Sequence, residues 1–224
     1  MPGTLAELVE KQVRRARAHR MDTAEASPRP CIALSRLPGT PAPELGHAIA
    51  KALGFEFLGI EIIDAIARDQ GLERRLVEAL DEHVRSAVER FVVDTFRVGA
   101  FREADYQRSL RRILRGIGEN GSAVVLGRGA PWILPPERAL RVLVVAPQHA
   151  RIARLAAERR LTIEQATHVI EREDEGRREF NRYYFANDPD DASLYDLTVN
   201  TDVLPIDTAT EMVLLAYRAR FGAG

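Results

Sequence analysis

The order of short apolar runs is the feature that most limits the folds open to this chain. Five such runs alternate with longer stretches in which apolar residues recur at helical spacing. Several are rich in β-branched residues, as parallel strands buried on both faces are. The pattern predicts an α/β fold with a parallel sheet and helices on both faces. The runs are Cys31–Leu34, Phe55–Leu58, Ser122–Leu126, Arg141–Ala146 and Tyr195–Asn200.

Composition excludes several classes of function. Of 224 residues, 46% are hydrophobic and 29% are charged, with a formal net charge of −1, so nothing attracts the whole chain to nucleic acid or membranes. The single cysteine, Cys31, cannot form an internal disulfide and is expected in the core. The five histidines lack metal-ligand spacing, so we predict no metal site built from protein side chains. No apolar run suggests a membrane span or a signal peptide, which predicts a cytoplasmic protein.

The stretch Pro30–Ile49 joins the first apolar run to a polar turn and a helical pattern. A strand that feeds a tight loop at the start of a helix is where α/β proteins bind phosphate, because N–H groups and the helix dipole point at the anion. Nucleotide kinases carry G-x-x-x-x-G-K-[ST] in such a loop. Here Thr-Pro-Ala-Pro follows Gly39, without a lysine, and each proline removes an N–H group. The position predicts a phosphate loop, and the residues leave open whether it holds a nucleotide.

The chain divides into an N-terminal segment, residues 1–29, and one larger domain, residues 30–224. The segment contains an amphipathic basic helix over Thr4–Met21, which is expected to pack on its own domain or on a second subunit. A membrane or nucleic-acid role for this helix is the less favoured alternative. Helical patterns at about 59–118 predict an all-helical insert between two strands. A capping box is predicted at Thr162-Ile-Glu-Gln165.

Arginines follow the predicted strands, and the carboxyl ends of parallel strands are where such sheets bind ligands. Guanidinium groups bind phosphate oxygens through two hydrogen bonds, so arginines converging on one edge are suited to a polyanion. The alternatives are a simple turn at Gly127-Arg128-Gly129 and a solvated helix face at residues 171–178. The arginines concerned are Arg36, Arg128, Arg151, Arg154, Arg177, Arg178 and Arg182.

Taken in order, these pieces resemble the cytidylate kinase-like family, relatives of bacterial CMP kinase in the P-loop nucleoside monophosphate kinase group. The resemblance covers about residues 30–218. It implies a three-layer α/β/α fold of the P-loop NTPase type, with a helical monophosphate-binding insert at about 59–118 and a lid at about 151–193. It rests on ALSRLPGTPAPELGHAIAKALG, AVVLGRGAPWIL, LRVLVVAPQHARIARL, and EREDEGRREFNRYYF followed by YDLTVNT.

The resemblance also implies an activity: transfer of a phosphoryl group from ATP with Mg²⁺, or another nucleoside triphosphate, to a nucleoside monophosphate. The alternative is a catalytically inactive relative that acts as a binding or regulatory module, in a homodimer formed through the N-terminal helix. By resemblance, Ser35, Arg36, Gly39 and Thr40 would form the phosphate loop, Arg128 would contact the acceptor phosphate, and Asp174, Arg177 and Arg182 would belong to the lid, with Arg151 at its base.

The sequence departs from the family pattern after two of the predicted strands. Pro41 and Ala42 stand where relatives have two glycines, and Pro41 has no N–H to donate. Gly59 stands where an acidic residue commonly follows the second strand. Gly129 replaces the aspartate of the Gly-Arg-Asp sequence in true CMP kinases, as in the cytidylate kinase-like branch generally. The acceptor base is therefore left open.

Overall fold

The computed structural model describes residues 7, 9–14, 28–60 and 103–222. Most of the predicted insert and most of the N-terminal segment lie outside these residues. The C-terminal part of the predicted insert, from residue 103, lies inside them and is helical, as predicted.

A five-stranded parallel sheet lies at the centre of the described part of the chain, with the order β2–β3–β1–β4–β5. The central strand pairs through Ile32 with Val124 on one side and with Leu140 on the other. The predicted parallel sheet is therefore confirmed. The strands are β1 (Cys31–Arg36), β2 (Glu56–Leu58), β3 (Ala123–Leu126), β4 (Ala139–Val145) and β5 (Leu197–Asn200).

The helices begin and end at residues whose chemistry accounts for the boundary. Gly54, in the left-handed region at φ 66°, ends the first helix. The sequence pattern predicts that this helix begins at Glu44, but it begins at Ala42, since Pro43 fits the first turn, where no intrahelical N–H is needed. The capping box at Thr162 is confirmed. The helices are α1 (Ala42–Leu53), α2 (Glu103–Asn120), α3 (Ala130–Ile133), α4 (Gln148–Arg159), α5 (Ile163–Phe185) and α6 (Ile206–Phe221), with 3₁₀ turns at Pro136–Arg138 and Ala192–Leu194.

Alternating side chains of the sheet build two cores, one on each face. Cys31 and Ala33 join the core formed with α2 and α3, whereas Ile32 and Leu34 join the core formed with α1 and α6. Cys31 is fully buried, as predicted, and its thiol contacts the carbonyl oxygen of Ile117 at 3.7 Å. Helices on both faces of one sheet make the three-layer α/β/α fold.

The helical residues 9–14 pack on this same domain. Val9 and Val13 are buried in the core that contains α2. The Asn120 amide donates to the backbone oxygen and to Oε1 of Gln12, both at 3.3 Å, and Lys11 forms an ion pair with Glu56. Of the two packing arrangements open from the sequence, the described residues therefore show contact with the domain itself. None of the helices described is both long and apolar enough to cross a bilayer.

Candidate functional site

A cavity of about 450 Å³ opens at the carboxyl ends of β1 and β3. Ser35 and Arg36 end β1 at its edge, and the turn Gly127–Gly129 follows β3. Helix α5 forms the opposite wall through Arg177 and Asn181. This is the edge at which open parallel sheets bind ligands.

Positive charge dominates the lining of the cavity. Arg36, Arg128, Arg159 and Arg177 line it, and they come from four different elements of the chain. Of the lining residues that the structure describes, one is a carboxylate: Glu173, which pairs with Arg159 at 3.4 Å. Such a lining suits an anionic ligand.

The turn after β3 is unusual because three consecutive residues are left-handed. Gly127, Arg128 and Gly129 have φ values of 79°, 51° and 72°. A Cβ atom on Gly129 would lie 2.2 Å from the ring of Phe185, so no side chain fits there. The turn thus carries Arg128 into the cavity lining while leaving no room for an aspartate at position 129.

Arg177 ties α5 to the end of β1 and to the loop that follows α5. Its Nη2 donates to Ser35 Oγ at 3.1 Å and to the Pro189 carbonyl at 2.8 Å, and its Nη1 donates to Asp190. The Tyr195 hydroxyl donates to the same Pro189 carbonyl at 2.9 Å. Burial raises the pKa of Tyr195, so its hydroxyl stays protonated as a donor.

Arg151 and Asp174 form a buried bidentate pair beneath the loop between β1 and α1 and do not line the cavity. The two hydrogen bonds measure 2.9 and 3.0 Å, and Arg151 Nη1 also donates to the Pro38 carbonyl at 3.0 Å. Gly39, at φ 80°, lies so close that a Cβ atom would be 2.8 Å from the Arg151 carbonyl oxygen. Arg151 and Asp174 therefore support the loop through these contacts rather than lining the cavity.

The loop itself offers few N–H groups. Thr40 uses both its N–H and its hydroxyl to donate to the Leu37 carbonyl, at 3.3 and 2.8 Å. Pro41 lies at the N-cap of α1 and Pro43 lies in the first turn. Glu44 adds a carboxylate to that turn and pairs with Arg154. Within the loop, Ser35, Arg36 and Pro38 line the cavity, whereas Gly39 and Thr40 do not.

Arg182 lies apart from the other predicted site residues. Its side chain is 62% exposed and pairs with Glu175 at 3.5 Å. It lines a more open hollow on the outer side of α5, together with the exposed Tyr183. The structure thus brings Ser35, Arg36, Arg128 and Arg177 to one cavity and leaves Arg182 outside it.

Two cavity residues had no assigned role from the sequence. Trp132 Nε1 donates to Asn181 Oδ1 at 2.6 Å, and the Asn181 amide donates to the Arg177 carbonyl at 2.8 Å. The Trp132 ring packs against Tyr195 with ring centres 5.3 Å apart. The only sequence feature that pointed to Trp132 as a site residue is its place in the family-like stretch AVVLGRGAPWIL.

The fold, with its loop between β1 and α1 and its ligand edge between β1 and β3, defines a three-layer α/β/α protein with a five-stranded parallel sheet. Comparison with known proteins identifies the branch. The chain belongs to the cytidylate kinase-like family, which it matches over residues 31–203. The family resemblance drawn from the sequence is therefore confirmed.

Named relatives of this chain are archaeal proteins. It is 29% identical to the cytidylate kinase of Aeropyrum pernix over 84% of this chain and 98% of that protein. It is 32% identical to the cytidylate kinase of Staphylothermus marinus over 42% of this chain and 52% of that protein, so it spans about half the length of that relative. The crystal structure of an uncharacterized protein from Eubacterium ventriosum aligns with a TM-score of 0.69 and 17% identity, covering 85% of this chain and 99% of that one. This last likeness concerns the fold alone.

Proposed function

We propose that the protein binds a nucleoside monophosphate in the arginine-lined cavity and phosphorylates it with ATP or another nucleoside triphosphate. The family and the names of its relatives suggest this reaction. The observation that carries the proposal is the convergence of Arg36, Arg128 and Arg177 on one cavity at the ligand-binding edge of the sheet.

The chemistry asks the protein for positioning and charge neutralisation. An oxygen of the acceptor phosphate forms a bond to the γ-phosphorus as the bond from that phosphorus to the β–γ bridging oxygen breaks, giving two nucleoside diphosphates. In this proposal Arg128 and Arg36 bind the acceptor phosphate and Arg177 stabilises charge on the transferred group. Arg151 and Asp174 act by holding the loop and α5 in place.

Magnesium accompanies nucleoside triphosphates in kinases and supplies charge neutralisation there. The part of the chain described here has no group of three or more side chains arranged to hold a metal. Glu173, the one carboxylate among the described residues that line the cavity, is already paired with Arg159. Among residues 28–60 and 103–222, the side chains thus do not form a magnesium site by themselves, and we assign no step to the ion.

A second candidate function is nucleotide binding without transfer, as a regulatory module. The loop favours it, because Pro38, Pro41 and Pro43 have no N–H and Thr40 spends its donors on Leu37. Such a protein would keep the acceptor cavity and would not bind a triphosphate at the loop.

Calorimetry tests the binding step. We expect CMP or another nucleoside monophosphate to bind, and Arg128→Ala to weaken binding about 10- to 100-fold through loss of a charge-assisted contact. Arg218→Ala, an exposed arginine on α6, removes the same charge far from the cavity and serves as control. If no monophosphate binds, or if the two variants behave alike, the acceptor assignment is wrong.

A coupled assay with ATP and Mg²⁺ separates the two functions. Formation of nucleoside diphosphate, lost in Arg128→Ala and kept in Arg218→Ala, supports the kinase. Monophosphate binding without turnover and without ATP binding supports the regulatory module and overturns the transfer reaction.

A further inference from the structure

Asp190 neutralises one of the arginines on which the proposed function depends. Its carboxylate accepts from Arg177 through one oxygen and from Nε of Arg178 through the other, the latter at 2.9 Å. The Arg177 side chain, which lines the cavity, is only 10% exposed. A cavity arginine is thus already bound to an anion that belongs to the protein.

The geometry of this contact is the one in which arginines bind phosphate. A carboxylate and a phosphate both present oxygens to guanidinium groups in the same way, so they compete for the same donors. The hydrogen bond that Arg178 donates to the Asp190 carboxylate raises the pKa of Arg178. For Asp190, burial alone would raise the pKa, but hydrogen bonds from Arg178 and Arg177 outweigh it and hold the pKa below its ordinary value.

The loop that carries Asp190 has its own internal support. The Asp190 N–H donates to Asp188 Oδ1 at 3.0 Å, and the Asp191 N–H donates to the Asp188 carbonyl at 3.3 Å. These bonds do not involve the arginines. Arg178 also has a second acidic partner, Glu175, at 3.1 Å. Release of Asp190 therefore leaves Arg178 paired, but it removes the carboxylate tether to α5 that restrains the turn, so the turn can open more often.

We propose that Asp190 competes with a nucleotide phosphate for Arg177, so that the segment 188–191 sets how tightly the cavity binds phosphate. The ligand class is a dianionic phosphate group, in a nucleotide or in inorganic pyrophosphate. The inference rests on the proposed binding of phosphate in the cavity. It assigns Asp190 a positioning role that acts through Arg177.

Calorimetric titration with pyrophosphate and with CMP tests the competition. In Asp190→Asn we expect both ligands to bind about 3- to 10-fold more tightly than in the wild type, since one competing anion is removed. Asp191→Asn is the matched control: it makes the same charge change one residue away, where the side chain contacts Ser193 and neither arginine.

The outcomes separate this inference from the proposed function. Tighter pyrophosphate binding in Asp190→Asn than in Asp191→Asn supports the competition, whether or not CMP binds. Failure of every variant to bind CMP or another nucleoside monophosphate would overturn the proposed function and leave the competition supported. Equal or weaker pyrophosphate binding in Asp190→Asn, or none at millimolar concentration in any variant, overturns the competition.

A measurement on the unaltered protein covers the case in which Asp190→Asn does not fold. Hydrogen exchange of the amides in 188–191 should become faster when pyrophosphate saturates the protein, because Asp190 is displaced. Unchanged or slower exchange in that segment would contradict the proposal.

Discussion

The guanidinium of Arg151 and the carboxylate of Asp174 meet inside the protein through two parallel hydrogen bonds of 2.9 and 3.0 Å. The two residues belong to α4 and α5, and Arg151 also holds the carbonyl of Pro38. The pair therefore joins both helices to the loop between β1 and α1. The pair thus contributes to the frame of the site, and the placement of Asp174 in a lid with Arg151 at its base stays a prediction of the family resemblance.

We expect Asp174→Asn to destabilise the protein by roughly 3 to 5 kcal/mol, because it leaves a buried guanidinium without its counter-charge. The loss would appear in urea unfolding and as a fall in Tm of about 10 °C. Glu171→Gln, an exposed acid on the same helix, should change stability by less than about 0.5 kcal/mol. Equal effects of the two substitutions would contradict the structural role of the pair.

Gly129→Ala should be more costly than Gly54→Ala. Both residues are left-handed, at φ 72° and 66°, but only Gly129 faces another group, the ring of Phe185. The difference in unfolding free energy should be roughly 1 to 3 kcal/mol, the cost of overpacking. Combining Gly129→Ala with Phe185→Leu should recover part of it in a double-mutant cycle. If Gly129→Ala and Gly54→Ala lower the unfolding free energy equally, the Phe185 ring does not pack against Gly129.

Thr162→Ala should lower stability by about 1 kcal/mol, since it removes the side-chain acceptor for the Gln165 N–H at the start of α5. Thr162→Ser retains the hydroxyl and should be close to the wild type in denaturant unfolding. Thr167→Ala is a suitable control, because that hydroxyl only donates to the Ile163 carbonyl within the helix. If Thr162→Ala matches Thr167→Ala, the cap contributes nothing.

The pH dependence of stability should report on Asp196. Burial alone would raise its pKa, but hydrogen bonds from the side chain and backbone of Arg141 outweigh burial and lower it. A lowered pKa in the folded state means that the stabilisation is present above the unfolded-state pKa and is lost as pH falls through the folded-state pKa.

Chemical unfolding from pH 7 to pH 2 checks this dependence. The stability difference between wild type and Asp196→Asn should be largest near neutral pH and should narrow below about pH 4, the ordinary value for aspartate. Asp202→Asn, at an exposed position, provides the control. A difference that stays constant with pH would show that Asp196 acts by shape alone.

The parallel sheet and the cap of α5 could be predicted from the sequence because both depend on neighbouring residues. The start of β4 could not: it begins at Ala139, opposite Cys31, rather than at Arg141. The start of β4 is set by its pairing with β1, and the sequence of β4 alone does not show how far that pairing extends.

Strand order alone predicted the site residues that end or directly follow a strand, whereas Arg177, on α5, was assigned by its helix face and the family resemblance. Arg128 and Arg36 lie at the edge where the strand order puts them. The contacts of Asp190 and Trp132 depend on how α5 and its following loop cross that edge, with Trp132 and Asn181 49 positions apart. Side-chain periodicity places a residue on a helix face but does not say which partner it meets.

The three prolines in the loop between β1 and α1 have a thermodynamic consequence. Each ring fixes φ near −65°, so the unfolded chain has fewer conformations to lose at Pro38, Pro41 and Pro43. Ordering a glycine-rich loop has a large conformational entropy cost, which is offset when phosphate binds. The proline rings of this loop instead restrict its backbone covalently. Its entropy cost is met during folding, so any ligand at this edge binds to a loop that is already rigid.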